Sequence, residues 1–189
     1  MPIYTGKGDE GDTSGADGVP VRKTDLRVKA LGGVDELNAH IGLCVQAASA
    51  GPLPDVAGPL ADIVGALETV QRELFVMGAM LAVLTPGREA KVALDGAAVD
   101  RMERQIDQAW AKAGDLTHFI LPGGCELACR LHVARTVCRR AERGVVAAAD
   151  AGNAIPAVIL KHLNRLGDLL FALARLANHE AGQAEKQWP

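Results

Sequence analysis

Aromatic residues make up only 3% of this 189-residue chain, so leucine, valine, isoleucine and alanine must fill whatever core it builds. Period-two runs of β-branched residues are scarce as well, which argues against a half-buried sheet. The four cysteines, Cys44, Cys125, Cys129 and Cys138, form no CxxC pair and fall within helical patterns. They read as small buried hydrophobes in a reducing compartment, not as disulfide partners. The histidines His40, His118, His132, His162 and His179 lack HxxxH, HExxH or ExxH spacing, so no metal centre built from side chains is expected. No stretch approaches the roughly twenty apolar residues of a membrane span, and Met1-Pro2-Ile3-Tyr4 carries no basic segment leading into an apolar run. A cytoplasmic chain without a membrane partner is expected. Twenty Lys+Arg against 23 Asp+Glu, a net charge of -3, give no reason to expect nucleic acid either.

What is present is helix former. Nearly half the residues are apolar, enough for one sizeable core and a single domain over 1–189. Thr24 or Asp25 can cap a helix over about Leu26 to Ala48, with Val28, Leu31, Val34 or Asp35, Asn38, Ile41 or Gly42 and Val45 facing inward. Gly51-Pro52-Leu53-Pro54 breaks the chain. Leu60, Ile63, Leu67, Val70, Leu74, Met77 and Leu81 then mark a second helix. Thr85 to Gly96 reads as a loop, and Val99, Met102, Ile106 and Trp110 mark a third helix over about Ala97 to Lys112. Pro122-Gly123-Gly124 is loop chemistry before a fourth helix on the seam Leu127, Leu131, Ala134, Cys138, Ala141 and Val145, ending near Gly152. Pro156 suits the first turn of a fifth, with Ile159, Leu163, Leu166, Leu170, Leu173 and Ala177 inward to about Asn178. Five such segments predict an all-α fold, an antiparallel five-helix bundle (25–180) behind an N-terminal arm (1–24).

Several polar features do not follow from bundle packing. Beside the fourth helix's seam runs the line Ala128, His132, Arg135, Arg139 and Glu142, which puts guanidiniums at the flank of the core. Arg135, Arg139, Arg140 and Arg143 form either a salt-bridged belt or an anion site. Asp35 is turned to solvent or paired across the core with a cation, Arg135 being the natural partner. Gly32-Gly33 implies the close approach of a backbone or a ligand. Asn164 and Asp168 are satisfied locally or read a ligand edge. Thr5 to Gly18, T-G-K-G-D-E-G-D-T-S-G-A-D-G, lacks periodicity; it is a mobile arm or a phosphate cradle of backbone N–H groups beside Lys7, Thr13 and Ser14.

Together these blocks carry a resemblance. Y-T-G-K-G-D-E-G-D-T-S (4–14), R-V-K-A-L-G-G-V-D-E-L-N-A-H-I-G (27–42), F-I-L-P-G-G through R-R-A-E-R (119–143) and L-N-R-L-G-D-L-L-F (163–171) resemble the PduO-type ATP:cob(I)alamin adenosyltransferases in content and order. The resemblance implies a ferritin-like five-helix bundle that assembles as a homotrimer. ATP would bind between the arm of one chain and the arginine helix of its neighbour. Thr5, Gly6, Lys7, Gly8, Thr13, Ser14 and Lys23 would surround the triphosphate, with Mg2+ carried by ATP. Arg139, Arg140, Ala141, Glu142, Arg143 and Asn164 would complete the nucleotide site. Asp35 and Arg135 match an ion pair between subunits, and Phe119 matches the aromatic residue that closes the lower face of the corrin. Lys23, Arg139 and Phe119 would carry the catalysis, with reduced cobalamin as substrate. A cobalamin reductase and an acceptor enzyme for adenosylcobalamin are the further partners implied. Two rivals remain: a non-catalytic adenosylcobalamin carrier, which would not need a phosphate-binding arm, and a structural bundle whose arginines only tie subunits together.

Overall fold

The computed structural model describes residues 4–49 and 59–189, leaving aside the side chains of 59–61. The expected Gly51–Pro54 break and the Leu60 position lie outside the described residues. Five helices follow one another: α1 (Leu26–Ser49), α2 (Pro59–Leu81), α3 (Ala97–Ala113), α4 (Glu126–Asp150) and α5 (Ala157–Glu180). Asp25, not Thr24, caps α1, its carboxylate accepting the Arg27 N–H at 2.7 Å. Pro156 stands immediately before α5, where its missing N–H costs nothing.

Helices adjacent in sequence run antiparallel. The buried Arg27 at the start of α1 donates through Nε to the Leu81 carbonyl at the end of α2. Gly33 faces Ala141 across the α1–α4 contact, where an added Cβ would lie 3.4 Å from the Ala141 Cα. The close approach expected at Gly32-Gly33 is therefore made by Gly33 and a neighbouring backbone. Cys125 and Asn178 join the opposite chain ends of α4 and α5. Laterally the order is α2, α1, α4, α5 and α3, with α2 also meeting α5.

The seams expected for α4 and α5 are buried throughout. For α1 the expectation holds at Val34, Asn38 and Ile41 and is corrected elsewhere: the buried line is Ala30, Val34, Leu37, Ile41, Cys44 and Ala48, with Arg27 and Asn38 beside it. Val28, Leu31 and Val45 lie half-buried at its flank, and Asp35 is exposed. The offset arises because α1 is wedged between α2 and α4, where small residues allow the closest packing. Cys44 and Cys138 are core residues whose thiols burial pushes up to about 12. Cys125 and Cys129 are only partly buried, contrary to expectation, because they lie at the exposed start of α4; all four are free thiols.

The arm also differs from expectation. It contains two short strands, β1 (Asp12–Ser14) and β2 (Pro20–Arg22), paired antiparallel with Thr13 opposite Val21. Polar contacts to the bundle substitute for the apolar face that such a hairpin lacks.

Candidate active site

In the arm, the Lys23 ammonium donates to the Gly8 carbonyl at 2.7 Å, closing the turn that carries Thr5, Gly6, Lys7 and Gly8. Lys23 N–H bonds to the Gly11 carbonyl at 2.9 Å. Arg22 donates to the Glu10 carbonyl and to Asp12, both at 3.0 Å. Thr13 is half-buried, while Ser14, Lys7 and Lys23 are exposed. The result is a short ordered turn with two ammonium groups at its surface, chemistry suited to a polyanion.

On α4 the four arginines divide. Arg140 pairs with Glu36 of α1. Arg139 and Arg143 are exposed and, among the described residues, have no acidic partner. Beside them Asn164 of α5 donates to Glu142 at 3.2 Å, and Ala141 is buried beneath. Asp168 is satisfied locally by Arg165 at 2.9 Å. Gly167 lies under the Arg139 stem, where an added Cβ would be 3.9 Å from the Arg139 Cγ. Two free guanidiniums next to an amide on one helix-pair surface suit an anionic ligand with a polar edge.

One turn towards the start of α4, Arg135 is half-buried. Its Nε is buried without a hydrogen-bond partner, and its guanidinium lies 5.7 Å from the centre of the Phe171 ring. Burial, then the charge of Arg139, lowers its pKa. Asp35 does not pair with it within the chain, so the intramolecular alternative is corrected: Asp35 points to solvent from α1, while Arg135 lies towards α5. His132 is buried against Phe171, neither ring nitrogen has a partner, and burial followed by the Arg135 charge lowers its pKa. The imidazole is therefore neutral at pH 7.

Phe119 precedes α4 and is 82% exposed. A bare phenyl ring is costly in water, so its backbone must be held there by something else. The holder is the chain's C-terminal segment. Trp188 N–H donates to the Phe119 carbonyl at 2.7 Å, and Leu121 N–H donates to Lys186 at 2.8 Å. The following Pro-Gly-Gly turn is pinned by Asn178, which accepts from Cys125 N–H at 2.9 Å and donates to the Gly123 carbonyl at 3.0 Å. Gly124 has φ +115°, and a Cβ there would lie 1.9 Å from the Asn178 Oδ1, so no other residue fits.

Residues 3–177 match the cobalamin adenosyltransferase family. The chain belongs to that family. It is 40% identical to a corrinoid adenosyltransferase of Bacillus subtilis over 188 residues, covering 100% of this chain and 92% of that one. It is 41% identical to the corrinoid adenosyltransferase PduO of Salmonella typhimurium, covering 97% of this chain but only 52% of that longer protein. Among solved structures, a PduO-type ATP:corrinoid adenosyltransferase variant from Lactobacillus reuteri, complexed with cobalamin and ATP, superposes with a TM-score of 0.87 at 34% identity. That match covers 99% of both chains.

Within this member of the adenosyltransferase family, three contributors to the site carried no sequence signal strong enough to be singled out. Asn178 looked like a helix end. Arg175 is buried at the α5 seam, donating to the Gly114 carbonyl at 3.0 Å, pairing with Glu185 at 3.2 Å and stacking 4.6 Å over Trp110. The segment 186–188 has no periodicity at all. Its partners lie more than sixty residues away, so only the tertiary fold reveals them.

Proposed function

We infer that this chain transfers the 5'-deoxyadenosyl group of ATP to the cobalt of reduced cobalamin and releases triphosphate. The electron pair on Co(I) forms the new cobalt–carbon bond while the C5'–O bond breaks, leaving its pair on the triphosphate oxygen. Cobalt ends formally as Co(III). No proton moves at the reacting carbon, so no general base is required, and the protein's task is orientation, water exclusion and charge neutralisation. Lys7, Lys23, Arg139 and Arg143 would stabilise the leaving triphosphate as charge gathers on it. Thr5, Gly6, Gly8, Thr13 and Ser14 would line its path, and Asn164 and Glu142 would read the nucleotide. Arg140 would act indirectly, by fixing α4 to α1. Mg2+ would arrive on the phosphates, where it keeps several waters and needs few protein ligands. Among the described residues no group of three or more His, Cys, Asp or Glu is gathered.

The observation that carries this reading is the pair Arg139 and Arg143, exposed beside Asn164 and without an acidic partner among the described residues while Arg140 is paired. A belt closed within one chain would have paired all three; arginines that only tie subunits together are separated from this reading by nucleotide binding. A second observation concerns Phe119: two of the Lactobacillus neighbours carry substitutions at a phenylalanine and at an arginine twenty positions later. Phe119 and Arg139 have the same twenty-residue separation. Phe119 would press an apolar wall against the lower face of cobalamin, displacing the axial ligand and easing reduction to Co(I).

The arm docks at the α1–α2 end of the helix row, whereas Arg139, Arg143 and Asn164 lie on the α4–α5 pair. No hydrogen bond or ion pair joins the two groups among the described residues. A complete site therefore calls for a second copy, and we propose a homotrimer in which Arg135 meets Asp35 of a neighbour. The four free thiols favour a reducing, cytoplasmic setting, with a reductase supplying Co(I) and an adenosylcobalamin-dependent enzyme accepting the product. Among the described residues no helix is long and apolar enough to cross a membrane.

The test is the absorbance change of cobalamin under reducing conditions, with and without ATP. ATP-dependent formation of the alkylcobalamin spectrum supports transfer; an unchanged spectrum with a bound corrin would favour a carrier. Calorimetry with Mg-ATP separates the remaining rival, since a purely structural bundle shows no saturable binding.

A further inference from the structure

The last turn of α2 leaves carbonyls that its own helix cannot satisfy. Three of them are taken up by residues from before or at the start of α1. Arg27 donates to Leu81 at 2.8 Å and to Met80 at 3.3 Å, and Ala16 N–H donates to Ala82 at 2.8 Å. Immediately beyond, the Asp17 carboxylate accepts the Leu84 N–H at 3.0 Å, the Thr85 N–H at 2.7 Å and the Thr85 hydroxyl at 2.6 Å. Gly15 lies in the crease: an added Cβ would sit 2.5 Å from the Asp17 Oδ1 and 2.7 Å from the Ala82 carbonyl oxygen. Gly15 N–H also closes the hairpin through Val19 at 2.9 Å. The tip of the hairpin is thus the cap of α2, and its two strands lead back to Thr13 and Ser14 on one side and to Lys23 on the other.

We propose that Asp17, with Thr85 as its partner and Gly15 as the spacer that lets them meet, is a positioning residue for ATP binding. It clamps the arm so that Thr13, Ser14 and Lys23 are presented in register before nucleotide arrives. The inference rests on the adenosyltransferase reading and deepens it. Asp17 touches neither substrate; it sets the fraction of chains whose arm is competent. A glycine-rich segment without an apolar face loses much conformational freedom on docking, and a carboxylate taking three convergent donors is what holds it against that loss. Apparent affinity scales with the competent fraction, so releasing the clamp weakens ATP binding without altering the chemistry once ATP is saturating.

The experiment compares the wild-type protein with Asp17→Ala, Gly15→Ala and Thr85→Val in the cobalamin absorbance assay, together with amide hydrogen exchange. Asp17→Ala and Gly15→Ala are expected to raise the KM for ATP roughly tenfold or more, Thr85→Val less, because it keeps the backbone donor. The kcat and the KM for cobalamin should stay within about twofold. Thr13 and Ser14 amides should lose exchange protection while α4 amides keep theirs. An unshifted KM for ATP in Asp17→Ala would overturn the clamp. A joint fall of kcat, both affinities and melting temperature would also overturn it, by showing ordinary scaffold. Failure of wild-type protein to bind ATP would sink the adenosyltransferase reading and the clamp with it, whereas normal wild-type binding with unshifted variants sinks the clamp alone.

Discussion

The two groups of residues assigned to ATP are held by opposite means. The arginines of α4 project from a helix whose other face is a continuous buried seam, Leu127 through Val145, so their positions are set by apolar packing. Among its described residues the arm has none that is fully buried; its hairpin stands on Asp17, Ala16 and Lys23, each spending a polar group on a backbone partner. The arginine wall is therefore rigid, whereas the order of the arm depends on a few bonds. Loss of one side chain should cost turnover at Arg139 and, at the Asp17 clamp, ATP affinity alone.

Arg139→Ala breaks that comparison most severely. The side chain is exposed and has no ion-pair or hydrogen-bond partner among the described residues, so stability should be kept while turnover falls by roughly a hundredfold or more, measured by the ATP-dependent cobalamin spectrum. Phe119→Ala should come next, slowing adenosylation roughly tenfold or more with ATP affinity nearly unchanged, if the ring serves the corrin alone as proposed; parallel calorimetry checks the second half. Asn178→Ala should act through stability. It strands the Cys125 N–H and the Gly123 carbonyl and costs about 1–3 kcal/mol, visible as a lowered denaturation midpoint and a loosened Phe119 loop. The smallest effect concerns pH. The Thr85 hydroxyl, helped by backbone donors, lowers the Asp17 pKa to about 2. The folded value lies below the unfolded one, so docking of the arm is fully present above about pH 4 and fades as pH falls through about 2. Carboxyl NMR shifts of Asp17 would follow it, and a midpoint near 4 would mean that the clamp is not made.

Legibility in the sequence divided along the same line. The α4 and α5 seams could be read residue by residue, because apolar spacing survives the choice of neighbours. On α1 the wedge between two partners shifted the buried face onto Ala30, Leu37, Cys44 and Ala48 beside Val34 and Ile41, and left Val28, Leu31 and Val45 at its flank. The four arginines were visible as a row, but only the position of Glu36 separated Arg140 from Arg139 and Arg143. The hairpin, Asn178 and the Trp188–Phe119 pairing depend on single bonds between distant residues, which leave no period in a sequence. Gly32-Gly33 marked a close approach that is made at Gly33 alone, whereas Pro122-Gly123-Gly124 read only as a loop and gave no sign that Asn178 would crowd Gly124.

The proposal that the arm of one chain completes the arginine surface of another is open to direct measurement. Lys23→Ala and Arg139→Ala chains, each inactive alone, can be co-expressed in equal amounts and assayed for adenosylation. With sites shared between subunits and random assembly, about a quarter of them recover an intact arm facing an intact helix, so the mixture should regain about that share of wild-type activity. A mixture as inactive as its components, alongside an active wild-type protein, would place the whole site within one chain and contradict it.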